Sequence, residues 1–158
     1  MRGRIGPGVL LVLGTLQAGP LAAAPTVEVA LGYADEVGGK SVAAGTLSLH
    51  LRENSDWPVE LIAGHIGERE PQPDDAGNPD EYFVGFTLRR QFGPWFFGGG
   101  GAWVPDRSLS EVLSSNGQFM QVLGWQRGAM AVSVRHLSNA STGGRNRGET
   151  FLTVGWRF

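Results

Sequence analysis

The stretch Arg135-His136-Leu137-Ser138-Asn139-Ala140 sets a base and a hydroxyl two residues apart. In an extended strand that spacing sends both side chains out of the same face. Serine is a weak nucleophile at neutral pH. It needs a neighbouring base to take its proton, and the base needs an acceptor that fixes its orientation. His136 and Ser138 supply the first two groups, and Glu149, at the start of the next apolar run, is the candidate third. Attack on an ester carbonyl leaves a negative oxygen that calls for aimed donors. The Asn139 side chain and the backbone N–H groups around Ala140 and Ser141 are candidates. Such a set performs acyl transfer, and its simplest product is a hydrolysed ester.

The elements that must position these groups read as strands. The face shared by His136 and Ser138 runs back through Val134, Val132 and Met130, while Ala129, Ala131, Ser133 and Arg135 take the other. Seven further runs show strand character: Thr26–Tyr33, Ser41–Arg52, Val59–Glu68, Tyr82–Arg90, Trp95–Val104, Gln118–Arg127 and Thr150–Phe158. In the first, Val27, Val29, Leu31 and Tyr33 oppose Glu28. In the last, Leu152, Val154, Trp156 and Phe158 oppose Thr153 and Arg157. Phe119, Leu123 and Trp125 share a face on which Gln121 is a polar exception. No run has the period of an amphipathic helix.

Runs of about ten residues suit tilted strands crossing a bilayer, and eight of them suffice to close a small barrel. Closure matters because lipid cannot hydrogen-bond an open sheet edge. The connections alternate: long at 34–40, 69–80, 105–117 and 139–148, short at 54–57, 92–94 and 127–128. Transmembrane barrels have short periplasmic turns and long outer loops, and an even strand count leaves both termini on the periplasmic side. The expected fold is therefore all-β, an eight-stranded antiparallel transmembrane β-barrel of the bacterial outer membrane, spanning 24–158. Its inward charges need partners. Glu28 and Arg157 are expected to pair across the closing strands, with His50, Arg52, Arg89 and Arg135 also lining the interior. Side chains fill a lumen of this size, so transport is disfavoured.

The chain opens Met1-Arg2-Gly3-Arg4, continues through an apolar run to Leu16, and reaches Ala22-Ala23-Ala24. That order reads as a secretory signal peptide, residues 1–23, cut after Ala23. Removing Arg2 and Arg4 leaves 11 basic residues against 15 acidic, a net charge of −4. This is no electrostatic footprint for nucleic acid. There is no cysteine, and the three histidines show no metal-ligand spacing.

His136-Leu137-Ser138-Asn139-Ala140, followed by Asn146-Arg147-Gly148-Glu149-Thr150-Phe151, resembles the lipid A 3-O-deacylase (PagL) family of the outer membrane. The motif covers about the last fifth of the chain. The resemblance implies an eight-stranded barrel with a serine–histidine–glutamate triad. It implies removal of the ester-linked hydroxyacyl chain at position 3 of lipid A, without a metal cofactor. Carried over, His136 is the base, Ser138 the nucleophile, Glu149 the orienting acid and Asn139 an oxyanion donor. The backbone N–H of Ser141, a position commonly glycine in that family, would be a second donor. The implied partner is lipid A in lipopolysaccharide of the outer leaflet, where Arg145 and Arg147 could meet its phosphates. The C-terminal Phe158 resembles the aromatic signal read by the outer-membrane assembly machinery. A homodimer is compatible with the sequence. By strand parity Glu149 falls off the lipid-facing register of Leu152 and Trp156. A bulge after Glu149, or a Glu149 still in the loop, is therefore expected. The competing reading is a non-catalytic eight-stranded barrel for binding, adhesion or envelope structure.

Overall fold

The computed structural model describes residues 24–35, 40–52, 55–70, 79–105, 112–142 and 148–158. The expected signal peptide, residues 1–23, and the expected phosphate contacts Arg145 and Arg147 lie outside these residues. Eight strands follow in order: β1 (Thr26–Asp35), β2 (Val42–Leu51), β3 (Val59–Ile66), β4 (Glu81–Phe92), β5 (Trp95–Trp103), β6 (Gly117–Arg127), β7 (Met130–Ser138) and β8 (Glu149–Arg157). Each is antiparallel to its neighbours, and β8 returns to pair with β1, so the sheet is a closed barrel without an edge. Among the described residues there is no helix.

The strands form where side chains alternate, because the two faces of the wall meet opposite surroundings. Val27, Leu31, Tyr33, Phe86, Leu123, Val154 and Trp156 stand exposed on the outside. Their inward neighbours Glu28, Ala30, Thr87, Val122 and Thr153 are buried. Exposed aromatic residues gather at two levels. Tyr33, Tyr82, Trp103 and Phe119 lie near the end that carries the long loops. Phe92, Trp95, Trp156 and Phe158 lie near the end that carries the short turns and the C-terminus. An apolar band flanked by aromatic girdles is how a barrel meets a bilayer and its interfaces. The tight connections at Gly93-Pro94 and Gly128-Ala129 have φ of 58° at Gly93 and 59° at Gly128, values that favour glycine.

The lumen is divided. Toward the loop end it is packed with Ile62, Ile66, Phe83, Val104, Met120, Leu137 and Phe151. Toward the short-turn end it holds ion pairs. Glu28 and Arg157 are partners across the β1–β8 seam, and Arg157 Nε donates to Glu28 Oε2 at 2.8 Å. His50 Nε2 lies 3.2 Å from the same oxygen. The expected seam pair is thus present. Deeper in, Glu60 accepts from Arg135 at 2.7 and 2.9 Å, from Thr87 at 2.7 Å and from Arg89 Nε at 3.1 Å. Arg89 also stacks over Phe96, 4.4 Å from the ring centre. Arg52 differs from expectation. It follows the last residue of β2, has φ of 55° and is exposed. The chain has left the pleat there, so parity no longer governs where the side chain goes.

Candidate active site

His136 and Ser138 leave the outer wall at the loop end of β7, both half-buried. Their inward neighbours Arg135, Leu137 and Asn139 are buried in the lumen. Three rows of cross-strand partners organise the wall around them. Gly101, Phe119 and Ser138 form the row nearest the loops. Gly99, Gln121, His136 and Thr150 form the next. Phe97, Leu123, Val134 and Leu152 form the third. Ser138 therefore sits level with Phe119 of the loop-end aromatic girdle.

The His136 imidazole is held on one side. Its Nδ1 lies 2.8 Å from Thr150 Oγ1, and His136 and Thr150 are register partners across β7 and β8. If Nδ1–H is the donor, Nε2 keeps a lone pair, which is the tautomer a general base needs. Gly148 closes over the ring. A side-chain carbon at Gly148 would come 2.7 Å from His136 Cε1 and 2.9 Å from Nε2, and its φ is 71°. Only a glycine backbone passes so close to the imidazole in that conformation.

Glu149 departs from the expected triad. The β7–β8 register runs unbroken through Leu137↔Glu149 and His136↔Thr150, with neither a bulge nor a loop at Glu149. Its side chain consequently enters the lumen with Leu137 and is buried. There Arg69 Nη1 donates to Glu149 Oε2 at 3.0 Å, and Nη2 donates to Oε1. Arg69 Nε also donates to the Lys40 carbonyl at 2.8 Å. One guanidinium thus ties the start of β8 to the β1–β2 connection. The residue whose side chain meets His136 is Thr150, a neutral hydroxyl where a carboxylate was expected. Continuing the Leu152–Trp156 parity one step back would have found it. Nothing in the local sequence marks Arg69.

The expected oxyanion donors are drawn into the turn after β7. Asn139 is buried, and its Nδ2 donates to Ser114 Oγ at 2.8 Å. Its Oδ1 accepts from the Ser141 N–H at 2.8 Å, an Asx turn that occupies the second expected donor. Ala140 and Ser141 both adopt left-handed backbone, with φ of 50° and 61°. This turn brings the Ala140 N–H to 3.1 Å from Ser138 Oγ. An N–H beside the nucleophilic oxygen is within reach of an oxyanion formed two bonds away, on the carbon that Oγ attacks.

Below His136 the outer wall forms a groove of about 340 Å³, lined by Phe97, Gly98, Gln121, Val122, Leu123, Val134 and His136. It is mainly apolar and opens away from the barrel. Among the described residues no cluster of three or more potential ligands is suited to a metal ion.

No protein-family model matches the chain, and no curated protein matches it by sequence. Among solved structures it is similar to the outer membrane enzyme PagL, at a TM-score of 0.54 and 18% identity, across 84% of this chain and 98% of that one. It is also similar to Ail, the attachment invasion locus protein of Yersinia pestis, at a TM-score of 0.43 and 14% identity, across 85% of this chain and 99% of that one. The likeness to PagL is one of fold: the chain shares the closed eight-stranded barrel of a known outer-membrane enzyme.

Proposed function

We propose that the chain is an outer-membrane ester hydrolase that removes the ester-linked hydroxyacyl chain at position 3 of lipid A, with Ser138 as nucleophile and His136 as base. The observation that carries this reading is a histidine with an oriented ring, beside a serine, on the lipid-facing wall at the level of an aromatic girdle. Polar groups facing lipid are costly and tend to be functional. The short-turn end then faces the periplasm and the long loops face outward. Lipid A lies in the outer leaflet with its acyl esters just beneath the headgroups. A site on the outer wall at that depth meets the ester without drawing the lipid from the membrane.

In the proposed sequence of steps, His136 Nε2 takes the Ser138 proton as Oγ attacks the acyl carbonyl. The Ala140 N–H donates to the oxyanion. Collapse breaks the bond to the sugar oxygen, which takes the proton from His136 and leaves. Water then attacks the acyl-serine, with His136 again moving the proton, and the fatty acid is released. Thr150 holds the ring and its tautomer. Glu149 acts from inside the barrel with Arg69, fixing the first residues of β8 so that Thr150 stands opposite His136.

The second reading is a non-catalytic barrel for binding or envelope structure. It draws on the hydroxyl, in place of a carboxylate, against His136. Mass spectrometry of lipid A from cells expressing the chain, beside the S138A variant, separates the two. Loss of one hydroxyacyl chain with the wild type alone is expected. Unchanged lipid A from the wild type, both in cells and with purified protein in detergent, leaves the non-catalytic barrel.

A further inference from the structure

The groove beneath His136 holds a polar side chain that the ester hydrolysis leaves unused. Gln121 interrupts the apolar outer face of β6, between Phe119 and Leu123, and is exposed. Its side chain has no hydrogen-bond partner among the described residues. Moving an unpaired amide from water into hydrocarbon is strongly unfavourable. A glutamine on this wall therefore calls for a partner that arrives from outside the chain.

Its surroundings say where that partner lies. Gln121 has His136 as its register partner on β7 and Gly99 on β5. A side-chain carbon added at Gly99 would meet nothing nearer than the Met120 carbonyl, at 3.8 Å. At the inward-facing Gly100 it would come 1.9 Å from the Phe86 carbonyl. Packing thus excludes a side chain at Gly100 but leaves room for one at Gly99. The bare wall at Gly99 gives the Gln121 amide an open approach on one side and the imidazole on the other.

We propose that Gln121 is a specificity-determining residue whose carboxamide hydrogen-bonds a hydroxyl on the substrate acyl chain close to the ester carbonyl. The proposal rests on the deacylase reading above. With the carbonyl at Ser138 and the chain running down the groove toward Leu123 and Val134, the alkyl carbons nearest the carbonyl pass the Gln121–His136 row. Successive rows on one face of a strand are about 6.6 Å apart. A hydroxyl on the second carbon beyond the carbonyl falls between the Ser138 row and the Gln121 row, within the span of a glutamine side chain. An unsubstituted chain would leave the amide unpaired in the bound complex. Discrimination by a hydrogen-bonding group works through that unpaired group.

The test uses purified full-length protein in detergent micelles, wild type and Q121L. The substrates are glucosamine esters acylated at position 3 with 3-hydroxydecanoate or with decanoate. The wild type is expected to favour the hydroxyacyl ester about tenfold in kcat/KM, as one neutral hydrogen bond allows. Q121L is expected to bring that ratio close to one, mainly by slowing cleavage of the hydroxyacyl ester. An unchanged ratio in Q121L, or an equal loss on both esters, overturns the role of Gln121 and leaves the esterase standing. A wild type that cleaves neither ester removes the deacylase reading, and this proposal with it. Heat-dependent gel mobility confirms that both proteins are folded barrels.

Discussion

At the scale of single residues, the unusual feature is the partner of His136. A carboxylate in that position both orients the imidazole and stabilises its charge during proton transfer. The hydroxyl of Thr150 can orient but brings no charge. T150V, nearly the same shape, removes the acceptor and should lower kcat on detergent-solubilised lipid A by about 10²-fold, within the range of general-base contributions. T150E should match or exceed the wild type. A T150V enzyme at full rate would make the contact incidental. Gly148 offers a second check, because a methyl group there meets the ring. G148A should reduce ester hydrolysis at least tenfold while costing about 1–2 kcal/mol for the left-handed backbone. An active G148A would show that the ring can move aside. Much of this site was legible from parity alone: His136 and Ser138 outside, Arg135 inside, and by the same count Asn139 and Glu149 inside. The family motif pointed the last two toward the substrate. Parity was the better guide because nothing interrupts the pairing of β7 with β8.

At the scale of elements, the pattern of alternation fixes the strands to within about two residues, because each strand has one wet or packed face and one lipid-suited face. What alternation cannot express is which inward charges meet across the lumen. Glu28 and Arg157 lie on strands that closure makes adjacent, and so could be paired from sequence. Glu60 on β3 and Arg135 on β7 face each other across the barrel, a relation set by the barrel's girth and stagger rather than by any local spacing. Glu60 joins Thr87, Arg89 and Arg135, and so links β3, β4 and β7 from inside. E60Q should leave the buried Arg135 guanidinium without its counter-charge and Arg89 with only the more distant Glu28. The expected loss is about 3–5 kcal/mol, as for other broken buried pairs. Urea titration followed by tryptophan fluorescence in micelles measures it. A shift well below 1 kcal/mol would mean that water already screens this cluster.

At the scale of the whole molecule, the two halves of the lumen do different work. The short-turn end has a cavity of about 240 Å³ among His50, Arg89, Gln91, Gln126 and Arg157. The loop end is closed by Phe83, Leu137, Phe151 and their neighbours, with Arg69 and Glu149 nearby. A polar path therefore enters the barrel from one side and stops. Purified protein in a planar bilayer should show no stepwise ion conductance. Steady channel currents would contradict the packing of the loop-end half. Only the loop-end half of the lumen is filled, and His136, Ser138 and Gln121 stand on the outside of the wall around it.

The seam between the first strand and the last carries one more implication. Phe158 N–H donates to the Val27 carbonyl at 2.9 Å, and Glu28 faces Arg157 beside them. The two ends of the barrel chain thus stand side by side, joined by the same contacts that join any other pair of neighbours. The strand order is cyclic, with one peptide link missing. A short linker from residue 158 to residue 25, with the ring reopened at the Gly128 turn, keeps every pairing described above. Which strand comes first is a matter of synthesis and export, not of architecture.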